Sequence, residues 1–124
     1  MKTIIGLAVL FIGTASAMAA EPAMTTDHGG AKVYTDMKGM TLYTFDKDAA
    51  GKSNCNAECA MKWPPFKAEA DAKAEGEWSV VEREDGSKMW AYDGKPLYYF
   101  AQDKAAGDMK GDGMGGAWHL VKAD

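Results

Sequence analysis

Apolar and polar residues alternate along several short stretches of the chain, with the period of two that a half-buried β-strand requires. "AKVYTD" and "MTLYTF" do so on either side of Met37-Lys38-Gly39, and the pair reads as a hairpin. Further along, "WSVVER" and "KMWAY" flank "EDGS", and "KPLYYF" follows Asp93-Gly94. Asp-Gly between alternating runs is a strong hairpin signal, because glycine tolerates the positive φ of such turns. The second half is expected to be a three-stranded meander, and the first half at least a hairpin. Helical pattern is scarce. "NCNAECAMKW" suits one short helix, capped by Asn54 or Asn56 and stopped by Pro64-Pro65. "KAEADAKAEGE" has helix-forming residues without an apolar face, and reads as a frayed helix or a linker between halves. "GDMKGDGMGG" reads as a Gly-rich loop and "AWHLV" as a final strand.

One phrase is written twice: "LYTFDKD" from Leu42 and "LYYFAQD" from Leu97. At the same offset Gly39 falls on Gly94, Ala50 on Ala105 and Trp63 on Trp118, so the repetition is an internal duplication. Two copies are too few for a solenoid and suggest two units about a pseudo-twofold axis. The expected fold is mainly β: a small two-repeat β-sandwich or barrel-like roll with one short helix. The repeats span about 31–66 and 78–122 within a single domain, 21–124. Successive strand side chains point to opposite faces, so Tyr43 shares a face with Phe45, and Tyr98 with Phe100. Leu42 and Leu97 point the other way. Asp48 and Asp103 each follow the Phe by three residues, where a strand ends and an Asp accepts backbone N–H bonds in a turn. The two tyrosines either pack in a shared core or line a pocket, with Asp48 and Asp103 as partners for their hydroxyls.

These residues resemble a bacterial family of secreted repeat proteins, predicted lipoproteins carrying a Tyr-x-(Phe/Trp/Tyr)-x-x-Asp motif. The matching positions are Tyr43, Phe45 and Asp48, then Tyr98, Phe100 and Asp103. "CNAECAMKWPP" after the first motif and "GDMKGDGMGGAWHLV" after the second are similar to the family too. The resemblance covers nearly all of the chain after its leader. It implies an exported protein of two repeats whose biochemical role is not established.

The chain has 124 residues, and its first twenty look like a signal peptide. Lys2 supplies the positive end, Ile4 to Ile12 the apolar core, and Ala15-Ser16-Ala17 or Ala17-Met18-Ala19 the cleavage site. The apolar run is shorter than the roughly 20 residues needed to span a bilayer, and no later segment is long enough. No cysteine stands beside the cleavage region for a lipid anchor. The expected location is periplasmic or secreted. Net charge is −4, and loss of Lys2 makes the mature chain more acidic still. That balance argues against nucleic acid and against an anionic membrane surface.

The two cysteines, Cys55 and Cys59, are expected to pair in an oxidising compartment. Their spacing is one residue longer than the usual redox pair, and no His follows for haem attachment. The mature chain is Met-rich, and Met109, Met114 and His119 are candidate ligands for a soft metal such as copper. "DMKGDG" resembles a calcium loop only loosely, since Lys110 stands at a ligand position. No nucleophile–base pattern or phosphate-cradling loop is visible, so no enzymatic activity and no cofactor are expected. The leading expectation is an exported non-enzymatic binding or structural module, with an envelope protein as one class of partner. The alternative is a periplasmic soft-metal (copper) or redox protein using Cys55, Cys59, Met109, Met114 or His119.

Overall fold

A computed structural model describes residues 21–123, so the signal peptide expected at 1–20 lies outside the described residues. The described chain is mainly strand with one short helix. Its strands are β1 (Met24–His28), β2 (Ala31–Thr35), β3 (Tyr43–Phe45), β4 (Trp78–Glu82), β5 (Lys88–Tyr92), β6 (Lys95–Pro96) and β7 (Trp118–Leu120), with α1 (Glu58–Lys62) between β3 and β4. They form three small antiparallel sheets, β1-β2, β3-β7 and β4-β5-β6, which do not close into a barrel. The meander expected in the second half is present. Asp93 and Gly94 both take positive φ, 55° and 80°, as a two-residue turn with that right-handed twist demands.

The first half differs from expectation in two ways. β1 was not legible as a strand, since four of its five residues are exposed and it pairs only with β2. "MTLYTF" makes a single bridge to β2, Thr35 to Thr41, and its strand then leaves to pair with β7. The turn between them is held by Asp36, whose side chain accepts from the N–H groups of Lys38 and Met40.

The halves exchange their last strands. Tyr43 lies opposite Leu120, and its repeat equivalent Tyr98 lies opposite Pro65, the equivalent of Leu120. The backbone bonds come in matched sets: Asp46 N–H to Ala117 O with Ala101 N–H to Lys62 O, and Tyr34 N–H to Val121 O with Trp90 N–H to Phe66 O. On the axis itself Tyr43 and Tyr98 donate to each other's carbonyls, at 2.8 and 2.9 Å. A residue paired with its own equivalent in this way marks an approximate twofold.

Alternation then divides the interior in two. Tyr43, Tyr98, Trp63, Trp118, Phe100, Met89 and Cys55 bury on one side. Leu42, Leu97, Phe66, Val121, Tyr34, Trp78 and Tyr92 bury on the other. The connection through "KAEADAKAEGE" contains turns and no helix, and most of it is exposed. The cap position before α1 is held by Ala57, which makes no side-chain cap bond, so neither Asn54 nor Asn56 caps the helix. Asn54 instead donates to Lys47 O, and Asn56 accepts the Cys59 N–H through its backbone carbonyl.

Candidate functional site

The repeated motif meets itself at the twofold, and its polar groups cross. The Tyr43 hydroxyl donates to Asp103 Oδ2 at 2.6 Å, and the Tyr98 hydroxyl to Asp48 Oδ2 at 2.7 Å. Each tyrosine thus bonds the aspartate of the other half. The second carboxylate oxygen of each Asp holds its own loop: Asp48 Oδ1 accepts from Asn54 N–H and Asp103 Oδ1 from Lys110 N–H. Burial, then the Asp103 carboxylate, pushes the Tyr43 phenol well above its ordinary range. Burial, then Asp48, does the same to Tyr98. The Asp48 carboxyl is itself raised by burial, against the lowering effect of its Tyr98 and Asn54 bonds.

The aromatic residues of the two halves form one column. Trp63 and Trp118 stack at 3.7 Å between centroids and 2° between planes. Phe45 stacks on the outer face of Trp118 and Phe100 on Trp63, at 4.2 and 4.3 Å. Tyr43 meets Trp63 edge-on, and Tyr98 meets Trp118 in the same way. The eight motif and tryptophan positions singled out in the sequence are therefore one assembly. Each such aromatic contact adds about 0.5–1.5 kcal/mol beyond simple burial.

Sequence reasoning missed the polar group behind Tyr98. Arg83 is buried on β4's continuation and donates to Ser53 Oγ (3.0 Å), Cys55 O (2.9 Å) and Asn56 Oδ1 (3.3 Å). Ser53 Oγ in turn meets the Tyr98 hydroxyl. A directed chain results, from guanidinium through Ser53 and Tyr98 to Asp48. Among the described residues, Arg83 Nε is buried without a partner. A signal was available: Arg83 is the only arginine among fourteen basic residues, and it shares the inward side of its strand with Val81. Tyr43 has a simpler second partner, since its hydroxyl accepts from Gly111 N–H at 3.1 Å.

Cys55 and Cys59 form a disulfide across the start of α1. It spans Ala57, whose φ of 55° and ψ of −121° suit glycine better than alanine. The metal candidates are dispersed. His119 is exposed on β7 and bonds Asp46 at 2.8 Å. Met114 lies in a 3-10 turn and borders a different groove, and Met109 is half-buried in the preceding loop. Among the described residues no three His, Cys, Asp or Glu side chains are gathered for a metal ion.

Two of the surface hollows among the described residues are lined largely by apolar and aromatic side chains. One, of about 730 Å³, is floored by Trp63 and Phe100 and bordered by Met61, Met114, Lys62 and Gln102. Met61 is 76% exposed and Met114 45%. The other, of about 450 Å³, lies over the second core cluster and is lined by Tyr34, Trp78, Trp90 and Tyr92. A family model described as a secreted repeat of unknown function matches residues 23–67 and again 79–122. No curated protein and no solved structure matches the chain.

Proposed function

The chain belongs to that family of secreted repeats, and from this premise we propose that it is a non-enzymatic binding module whose repeat motif is the frame and whose ligand surface lies elsewhere. It would work in the periplasm or outside the cell. One observation carries the reading: the hydroxyls and carboxylates of the motif bond each other across the halves. Groups engaged in this way hold the fold together and are not presented to a ligand. No helix among the described residues is long and apolar enough to cross a membrane.

A thermal-shift screen of the mature protein with small ligands and metal salts tests the proposal. A ligand that binds only the native state raises the melting temperature with its concentration. A saturable rise with any one ligand class supports a binding module. A flat response throughout would favour a purely structural role.

A second reading is favoured by the exposed thioethers of Met61 and Met114, which border one groove over two aromatic faces. Soft thioether ligands suit Cu(I), and aromatic faces attract cations. This version of the soft-metal hypothesis uses Met114, and leaves Met109 and His119 out. Calorimetric titration with Cu(I) should then give heat that Met61→Leu and Met114→Leu abolish. Heat unchanged in both variants would remove the groove as a metal site.

A further inference from the structure

The hollow over the second core cluster has a chemistry of its own. Trp78 and Tyr92 are cross-strand partners on β4 and β5, and Trp90 lies two residues from Tyr92 on the same face. Tyr34 comes in from β2. The rings stand at angles to one another: Tyr34 to Trp78 is 5.1 Å at 81°, and Trp78 to Trp90 is 6.3 Å at 89°. Tyr34 to Tyr92 closes the set at 4.7 Å. All four rings line the hollow, and the negative face of an aromatic ring attracts a cation.

The rim has the matching charge. Glu21, Glu75 and Glu77 border the hollow, against one lysine, Lys73. Glu75 and Glu77 are not on a loose loop. Glu75 and Trp78 donate to each other's carbonyls, at 2.8 and 3.0 Å, and Asp93 N–H donates to Glu77 O. The acidic edge is therefore fixed against the ring that forms the back wall. Glu77 also neighbours the Tyr92 phenol, which burial first, and then Tyr34 and Glu77, hold protonated.

We propose that this aromatic hollow with its carboxylate rim binds a free small organic cation of the quaternary or alkyl-ammonium class. The proposal rests on the reading of the domain as a binding module and names a ligand class and a place for it. The rings would take the methylated or alkyl part and the carboxylates the charge. A compact ammonium is small against a space of about 450 Å³, so substituents can extend past the rim. Lys73 is a competing cation at that rim, and its removal should help.

The test is a fluorescence and calorimetric titration of the mature protein with choline chloride, beside its neutral isostere 3,3-dimethyl-1-butanol. Choline should quench tryptophan emission saturably, while the neutral isostere binds at least roughly fivefold more weakly. Glu75→Gln and Glu77→Gln, both at exposed sites, should each weaken choline roughly two- to fivefold and flatten its salt dependence. Lys73→Ala should tighten it. No saturable response to choline, or an equal response to the isostere, overturns the proposal. Binding to phosphatidylcholine vesicles without binding of free choline also overturns it, in favour of a membrane surface. A choline failure alongside a positive thermal shift with another ligand would sink this site while leaving the binding-module reading intact.

Discussion

The two motif tyrosines are equivalent in sequence and unequal in surroundings. Tyr43→Phe would leave Asp103 Oδ2 without its hydroxyl donor and Gly111 N–H without an acceptor. A buried group stranded in this way costs about 1–3 kcal/mol. Tyr98→Phe interrupts a longer chain, since Ser53 and behind it Arg83 lose their link to Asp48. We expect both to lower the urea midpoint, with Tyr98→Phe the more severe; equal losses would show that the Arg83 chain adds nothing. The same phenols set an alkaline limit. Tyr43, Tyr92, Tyr98 and Tyr99 all have folded-state pKa values raised by burial, with carboxylates adding to it. The native state then holds protons that the unfolded chain releases near pH 10, so their contribution is complete below that value and is lost as pH rises above it. Urea midpoints measured from pH 8 to 11.5 should be level at first and fall beyond about pH 10. Tyr43→Phe should make that fall shallower. In the sequence, an Asp at a strand end and a Tyr within the strand were readable as a turn former and a core ring. That each Asp serves the other repeat's Tyr was not, because a pattern within one repeat is silent about which copy completes it.

Elements were legible where they carry apolar side chains to bury and obscure where they do not. β4 and β5 carry apolar residues on both faces, with Val81, Met89 and Ala91 in one core cluster and Trp78, Trp90 and Tyr92 in the other, so they stand out in the sequence, whereas β1 is an exposed edge with little apolar content to betray it. α1 was readable as a helix but not in its start, because the backbone at Ala57 is set by the closed Cys55–Cys59 loop instead of by a polar cap. Replacing Ala57 by glycine removes a Cβ from a conformation that glycine adopts freely. Thermal melts should show Ala57→Gly stabilised by up to about 1 kcal/mol, and a loss would mean that the added unfolded-state freedom outweighs the relief. The loop that replaces α1 in the second repeat depends on the opposite property. A Cβ built on Gly111 would come within 2.7 and 2.9 Å of Trp63 ring atoms and 3.1 Å of Phe100. The column of rings is closely packed there and cannot give way cheaply. Gly111→Ala should therefore cost about 1–3 kcal/mol, with a changed tryptophan near-UV signal as the sign that the stack has moved.

At the scale of the molecule, the duplication explains why a chain with few long strands holds together. The offset between the repeats showed in the sequence that two like units exist, and the alternation showed which rings turn inward. It could not show that the units trade their final strands, since trading and keeping leave the same local pattern. In the structure the trade is thorough. Trp63 to Lys67 runs beside Tyr98 and Met89 of the second repeat, and Trp118 to Lys122 beside Tyr43 and Val33 of the first. The column Phe45–Trp118–Trp63–Phe100 alternates between the halves at every contact, so a half on its own would expose ring faces and carry a strand with no partner. The covalent link between the halves, by contrast, is an exposed stretch around Lys73 and Ala74. A protease site inserted between Lys73 and Ala74 and then cut should leave the fragments bound. The cleaved protein should elute as one species of unchanged size, keep its near-UV spectrum, and run as two bands only after denaturation. Its melting temperature should become concentration-dependent, as mass action requires once folding is also association. Either half expressed alone should lack the near-UV signal. Fragments that part on the column while each stays folded would mean that the exchanged strands and the crossed Tyr–Asp bonds are incidental to stability.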